Sequence, residues 1–329
     1  MAGSGTAHMR NTVDAVLTVR DLTVEFRVGK NKSVKAVSGL SLDVVKGETL
    51  AIVGESGCGK TTLARAILQL PPPNSGEVIF NGTDMTLLPK ENLRSARTSM
   101  QMIFQDPISS LNPRMTVHQL LDEPLEIWDR GTRTERDERI NKLLFSVGLE
   151  PDLVLNRRSY EFSGGQCQRI SIARALALDP RMLICDEPVS ALDVSIQAQI
   201  LNLLLSMKET FGLTMLFISH DMAVVKAIST RMMVMYLGKI CEVAPPDVLY
   251  SNPAHHYTRA LLNSVPIPDP TKQIRTELLQ GEPPSPMNPP SGCRFRTRCV
   301  GASALCAEQE PQLREVSPGQ FVACHHPIV

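Results

Sequence analysis

Residues Gly54-Glu55-Ser56-Gly57-Cys58-Gly59-Lys60-Thr61 spell G-x-x-x-x-G-K-[ST], a run that few folds can accommodate. Before it lies a short apolar segment of strand length, Thr49 to Val53. After it, Leu63, Ala66, Ile67 and Leu70 recur at i, i+3, i+4 and i+7, a helical period that Pro71 ends. Strand, glycine-rich turn and helix in that order form a cradle for phosphate. Glycines let backbone N–H groups turn inward, and the helix N-terminus adds partial positive charge. Lys60 neutralises phosphate oxygens, and the Thr61 hydroxyl ligates Mg²⁺. The residues expected to line the nucleotide are Gly54, Glu55, Ser56, Gly57, Cys58, Gly59, Lys60, Thr61 and Thr62. Cys58 fills a variable position and is read as a bystander.

A second apolar segment, Arg181 to Cys185, ends in Asp186 and Glu187. Two acids at the carboxyl end of a strand are expensive to bury for structure alone. Beside a phosphate cradle they fit a division of labour, with Asp186 holding Mg²⁺ through water and Glu187 polarising the attacking water.

The remaining pattern is α/β. Leu17/Val19, Leu22/Val24/Phe26 and Leu40/Leu42/Val44 alternate as half-buried strands do. The middle, about 106–176, reads as helical, with Ile140, Leu143, Leu144 and Val147 on one face. Strand–helix alternation resumes with 181–185, a helix over 195–207, and strands over 213–219 and 231–236. From about 263 the chain turns Pro-rich (Pro266, Pro268, Pro270, Pro283, Pro284, Pro286, Pro289, Pro290), a composition for a wrap or linker into a small Cys-bearing tail.

A formal net charge of zero argues against a phosphate-tracking nucleic-acid partner. No apolar run approaches the ~20 residues of a membrane span. The start, MAGSGTAHM, lacks the pattern of a secretory signal, so residues 1–15 read as a disordered leader or tag. The eight cysteines are then expected in a reducing compartment.

Phe162-Ser163-Gly164-Gly165-Gln166, followed by Cys167-Gln168-Arg169-Ile170, resembles the LSGGQ signature of ABC-type ATPases, with Phe for the usual Leu. Locally, Ser163 reads equally well as a helix N-cap. Other positions match that family in order. Gln105, in Ile103-Phe104-Gln105-Asp106-Pro107, matches the Q-loop glutamine. Ser190-Ala191-Leu192-Asp193 resembles the D-loop, and His220 resembles the switch histidine at the γ-phosphate. Phe26 stands where an aromatic stacks on adenine, although as part of a strand alternation it also reads as core.

The resemblance covers roughly 16–329. It implies a RecA-like P-loop ATPase core with an antiparallel β subdomain, an inserted helical subdomain at about 106–176 within an ATPase domain at 16–262, and a small Cys-containing extension at 263–329. Two such subunits dimerise head to tail, so Ser163, Gly164, Gly165 and Gln166 act on the partner's ATP. Glu187, His220 and Gln105 are the implied catalytic residues, and Thr61, Gln105 and Asp186 the implied Mg²⁺ set.

Three further segments narrow the resemblance. Met100 to Pro107 with Ser109-Ser110-Leu111-Asn112-Pro113, Asn252-Pro253-Ala254-His255-His256-Tyr257-Thr258, and Pro284 to Cys293 are similar to the ATPases of oligopeptide and dipeptide importers. The GESGCGKT and FSGGQCQR wording is closer to the second, F-type subunit of such pairs. This implies a second ABC ATPase subunit, homologous or identical, two transmembrane permeases and, indirectly, an extracytoplasmic peptide-binding protein. The chain then works at the cytoplasmic face of the inner membrane. Importers of nickel, glutathione or sugars share the architecture. A soluble ABC ATPase of DNA repair or translation fits less well, because neither a coiled-coil insertion nor a second cassette is found.

Cys293, Cys299, Cys306 and Cys324 follow C-x5-C-x6-C-x17-C. Four thiols in a reducing compartment point to a metal, but this spacing matches neither structural zinc nor common ferredoxin runs. Spacing alone leaves zinc and iron–sulfur open, and His325 and His326 keep a mixed zinc site in play. The family resemblance implies a [4Fe–4S] cluster that staples the tail.

Overall fold

The computed structural model of the chain describes residues 5–10, 13–29, 32–265 and 281–328; Pro266, Pro268 and Pro270 lie outside these. The chain divides into two compact units, one made of Met1–Leu88 with Ile218–Val329, the other of Pro89–Phe217.

The first unit begins with two long antiparallel strands, β1 (Ala15–Val28) and β2 (Lys32–Val45). Leu17, Val19, Leu22 and Val24 are all buried, although the two pairs are out of phase by one residue. The register shifts between Val19 and Leu22, where Asp21 takes a left-handed φ of 48°. An irregularity of this kind re-aims the alternation without ending the strand. Strand β3 (Thr49–Val53) is buried along its whole length and leads through the glycine run into helix α1 (Lys60–Ile67). Strands β4 (Ser75–Phe80) and β5 (Thr83–Asp84) complete an antiparallel sheet of order β2-β1-β4-β5.

Part of the expected disordered leader is packed. His8 is only 2% exposed, with its Nε2 3.0 Å from the Ser41 carbonyl oxygen. Arg10 reaches both Asp43 and Glu48. The cause is electrostatic: Asp43 and Glu48 are buried carboxylates, and Arg10 and Arg231 supply the charges that make their burial tolerable.

The second unit contains α2 (Lys90–Ala96), β6 (Met100–Ile103), then α3 (Val117–Ile127), α4 (Arg133–Ser146), α5 (Pro151–Val154) and α6 (Gly164–Leu176). Three of these helices begin on reciprocal capping boxes: Thr116 with Gln119, Thr132 with Glu135, and Ser163 with Gln166. Each pair satisfies backbone N–H groups that the first helical turn leaves over. Helix α4 buries Ile140, Leu143 and Leu144, with Val147 as its buried C-cap, as the spacing predicts. Strand β7 (Met182–Asp186) runs parallel to β6, setting Ile103 opposite Cys185. Helix α7 (Val194–Phe211) outruns its expected end at 207 and stops at Gly212, whose φ of 62° suits a glycine cap. Strand β8 (Thr214–Ser219) follows.

The chain re-enters the first unit through α8 (Met222–Ile228) and β9 (Arg231–Tyr236). Strand β9 pairs in parallel with β3, placing Val234 opposite Val53, and antiparallel with β10 (Lys239–Ala244). Helices α9 (Pro246–Ser251) and α10 (His256–Asn263) precede the tail, which contains α11 (Ala304–Glu308), β11 (Arg314–Ser317) and β12 (Gln320–Val322). Strand β12 pairs with β10, giving the order β11-β12-β10-β9-β3. The tail hairpin is absent from the sequence reading. Its turn is short, with Gly319 at a φ of 74°, and it gains stability by adding to the edge of β10. Among the described residues no helix is long and apolar enough to cross a membrane.

Candidate nucleotide-binding site

Strand β3 and helix α1 hold the glycine run as a tight arch. A side-chain carbon at Gly54 would lie 2.1 Å from the Met235 carbonyl oxygen, and one at Gly59 would lie 2.1 Å from that of Ala36. Gly59 also has a φ of 106°, so no other residue type fits this position. Lys60 is almost fully buried, and its Nζ donates to the carbonyl oxygens of Gly54 (2.7 Å) and Glu55 (3.1 Å). A lysine folded onto its own loop holds the arch open and keeps a positive charge where a triphosphate would enter. Burial pushes the Cys58 thiol up despite nearby Lys60, which keeps it protonated and unreactive.

The loop is supported from beneath by the same unit. The Glu55 N–H donates to the Tyr257 hydroxyl (2.8 Å), and the Gly238 N–H to the Cys58 carbonyl (2.8 Å). Arg298 grips the Glu55 carboxylate with both terminal nitrogens, at 2.7 and 3.2 Å. Tyr236, Tyr257 and Phe295 pack edge and face, with centroids 4.7 to 5.3 Å apart. Phe26, on β1, is 40% exposed rather than core. His220 follows the last residue of β8 and is exposed. The next residue, Asp221, caps α8 by accepting from the Ala223 and Val224 N–H groups.

In the second unit, β6 and β7 end side by side, and Gln105 Nε2 donates to Glu187 Oε2 at 3.1 Å. Asp186 closes β7 and is 2% exposed. Glu187 adopts a φ of 48°, an unusual conformation for a non-glycine residue. The Ser190 N–H and hydroxyl both donate to its carbonyl oxygen, at 3.2 and 3.0 Å.

Ser163 caps α6, accepting from the Gln166 N–H, while the Gln166 side chain accepts from the Ser163 N–H. The N-cap reading of Ser163 is therefore realised within this chain. Gly164 and Gly165 press against the D-loop region: a side-chain carbon there would come within 3.3 Å of Leu192 and 2.7 Å of Ile196. Asp193 is the N-cap of α7, without a side-chain cap bond.

The four tail cysteines converge without closing on a centre. Burial pushes the Cys293 and Cys299 thiols up and takes Cys324 to about 11, and the Cys324 thiol feels the other three. Backbone N–H groups point at three of these sulfurs: those of Phe295 and Arg296 at Cys293, Gly301 at Cys299, and His326 at Cys324. Among the described residues, however, no three His, Cys, Asp or Glu side chains form a group that could hold a metal ion. The expected cluster site is thus not assembled here. It is the bound ion that draws such ligands together. Cys306 and Cys324 are buried, and Cys293 and Cys299 are half-buried.

Sequence reasoning missed Arg298, Phe295 and the full role of Tyr257. Tyr257 lies in a segment noted for its family resemblance, but nothing in one dimension shows that its hydroxyl meets the loop 202 residues earlier. The buried Cys241 lies within electrostatic reach of Cys293, Cys58 and Cys324, another relation invisible in the spacing.

The comparisons with known proteins bear on family and fold. Residues 37–190 match the ABC transporter family model, and residues 241–306 match the oligopeptide/dipeptide transporter C-terminal region. A putative peptide import ATP-binding protein of Brucella ovis is 51% identical over 95% of this chain and 98% of its own length. The oligopeptide transport ATP-binding protein OppF of Escherichia coli is 52% identical over 94% of this chain and 95% of its own. Among solved structures, the dimeric post-hydrolysis state of the ATP-binding cassette MJ0796, bound to ADP and Pi, is similar at a TM-score of 0.64. It shares 29% identity and covers 70% of this chain and 98% of that one. The fold is accordingly that of the ABC ATPase cassette, and the chain belongs to the ABC transporter ATP-binding proteins of the oligopeptide and dipeptide type.

Proposed function

We propose that this chain hydrolyses ATP to drive import of short peptides through a membrane ABC transporter. It is paired with a second ATPase subunit and docked on two permease subunits at the cytoplasmic face. The observation that carries this reading is the joint presence of a complete phosphate arch ending in Lys60 and of the peptide-transporter C-terminal region over 241–306. The end-to-end match to OppF supports peptides as the cargo.

In this reading Gly54 through Thr62 surround the triphosphate and Phe26 stacks on adenine. Thr61, Gln105 and Asp186 are assigned to Mg²⁺, Glu187 to the attacking water and His220 to the γ-phosphate. Ser163, Gly164, Gly165 and Gln166 serve the partner's nucleotide, and Asp193 belongs to the D-loop. Residues 106–176 form the inserted helical part of an ATPase domain at 16–262, and 263–329 the extension. Cys293, Cys299, Cys306 and Cys324 would hold a [4Fe–4S] cluster, whose bonds would cross-link a tail poor in apolar residues. The N–H groups aimed at Cys293, Cys299 and Cys324 support that assignment.

The test is uptake. Vesicles containing the chain with its partner subunits should accumulate labelled di- to pentapeptides only with internal Mg-ATP, and Glu187→Gln should abolish accumulation. ATP-dependent uptake of nickel, glutathione or a sugar instead of peptides would assign a different cargo.

A further inference from the structure

Glu55 occupies a variable position of the glycine run, so phosphate chemistry does not call for a carboxylate there. A carboxylate at the mouth of a triphosphate cradle is in fact unfavourable. It repels the ligand and competes for Lys60, whose Nζ already rests 3.1 Å from the Glu55 carbonyl oxygen.

The tail answers this charge. Arg298, its side chain 5% exposed, forms a two-pronged ion pair with Glu55. Its guanidinium also lies 6.0 Å from the Tyr236 ring centroid. The neighbouring Phe295 is wedged against Tyr236, Tyr257 and His255. Arg294 binds the Leu237 carbonyl and the Ser38 hydroxyl, next to Gly238, whose N–H holds the Cys58 carbonyl. Two routes therefore run from residues 294–298 to the two halves of the arch.

We propose that Arg298 is a positioning residue for ATP: by pinning and neutralising the Glu55 carboxylate, it keeps the arch open and leaves Lys60 for the phosphates. The inference rests on the nucleotide-binding reading above. Arg298 acts through Glu55 and touches no reacting atom.

The experiment is Mg-ATP calorimetry on the full chain in a Glu187→Gln background, with kcat measured separately on the native Glu187 background. The parent protein is titrated first. If it does not bind ATP, the nucleotide-binding reading fails. If it binds, every later result bears on Arg298 alone.

Arg298→Ala should weaken ATP by about tenfold, equivalent to ~1.4 kcal/mol, and raise KM with kcat nearly unchanged. Adding Glu55→Gln should bring affinity back to within about threefold of the parent, because the unpaired carboxylate is then gone. Arg298→Lys should fall between, since a point charge cannot grip both oxygens. Parent-like affinity for Arg298→Ala overturns the proposal. So does a double variant as weak as the single one, which would mean that Arg298 only packs the tail. Should Arg298→Ala fail to fold, Arg298→Lys decides: affinity about threefold or more below the parent supports the proposal, and parent-like affinity overturns it.

Discussion

The Gln105 side-chain amide donates to the Glu187 carboxylate across 3.1 Å, joining the ends of two parallel strands. Glu187 is held there in left-handed backbone geometry by two hydrogen bonds from Ser190. A strained non-glycine carboxylate kept in place by its neighbours is the kind of feature that function retains. Glu187→Gln should therefore leave Mg-ATP binding intact and lower steady-state turnover at least about a hundredfold, the usual range for losing a general base. A phosphate-release assay checks this, and unchanged turnover would remove Glu187 from its role.

Lys60→Ala removes the donor that satisfies the Gly54 and Glu55 carbonyls. Mg-ATP affinity should drop at least about tenfold, through loss of a charge-assisted bond to phosphate. The melting temperature should also fall, because two loop carbonyls lose their partner, at about 1–3 kcal/mol for a buried group left unsatisfied. Nucleotide titration and thermal melts measure the two effects separately.

Gly165→Ala places a methyl group 2.7 Å from Ile196 Cγ2, so α6 and α7 must shift apart at the signature. ATP affinity of the isolated chain should be preserved, since the phosphate arch lies in the other unit. Hydrolysis in the assembled dimer should fall several-fold at the partner's site. Pairing the variant with a partner ATPase whose own arch lysine is replaced by alanine separates the two sites: the sole intact arch, on the Gly165→Ala chain, then faces the partner's intact signature, and turnover should persist.

Burial lowers the pKa of His8 to about 4 and of His255 to about 3. The unfolded chain, with histidines near 6.5, binds more protons than the folded one between those values and 6.5. Stability contributed by keeping these rings neutral is thus whole above about pH 6.5 and declines as pH falls, by about 1.4 kcal/mol per pH unit for each ring. Urea midpoints at pH 7 and pH 5 should show the loss. His8→Gln, which can still donate to Ser41, should remove roughly half of the slope.

Protein purified without oxygen should be brown, with iron and sulfide in about a four-to-four ratio. Cys299→Ser should bleach it. A colourless sample with stoichiometric zinc would identify the other candidate, and His325 and His326 would then be examined as ligands.

Much of this site is legible in one dimension because its chemistry is local. The arch from Gly54 to Thr61 needs glycines at fixed offsets, and the cap at Ser163 is a relation to the residue three places on. The strand pattern of β1 was legible too, although its continuity was not, because the irregularity near Asp21 reverses the alternation midway. Long-range relations escaped. Arg298 lies 243 residues from Glu55, and Gln320 lies 78 from the buried Glu242 that it satisfies. Neither pairing leaves a period or a motif. The packed leader escaped for the same reason, since only the folded sheet shows that Asp43 and Glu48 need Arg10.

The most direct measurement is calorimetric titration of the folded, unmodified chain with ATP, with and without Mg²⁺. The account predicts a saturable isotherm for one nucleotide per chain that requires the metal and is strongly weakened in Lys60→Ala. Absence of saturable, magnesium-dependent ATP binding would contradict it.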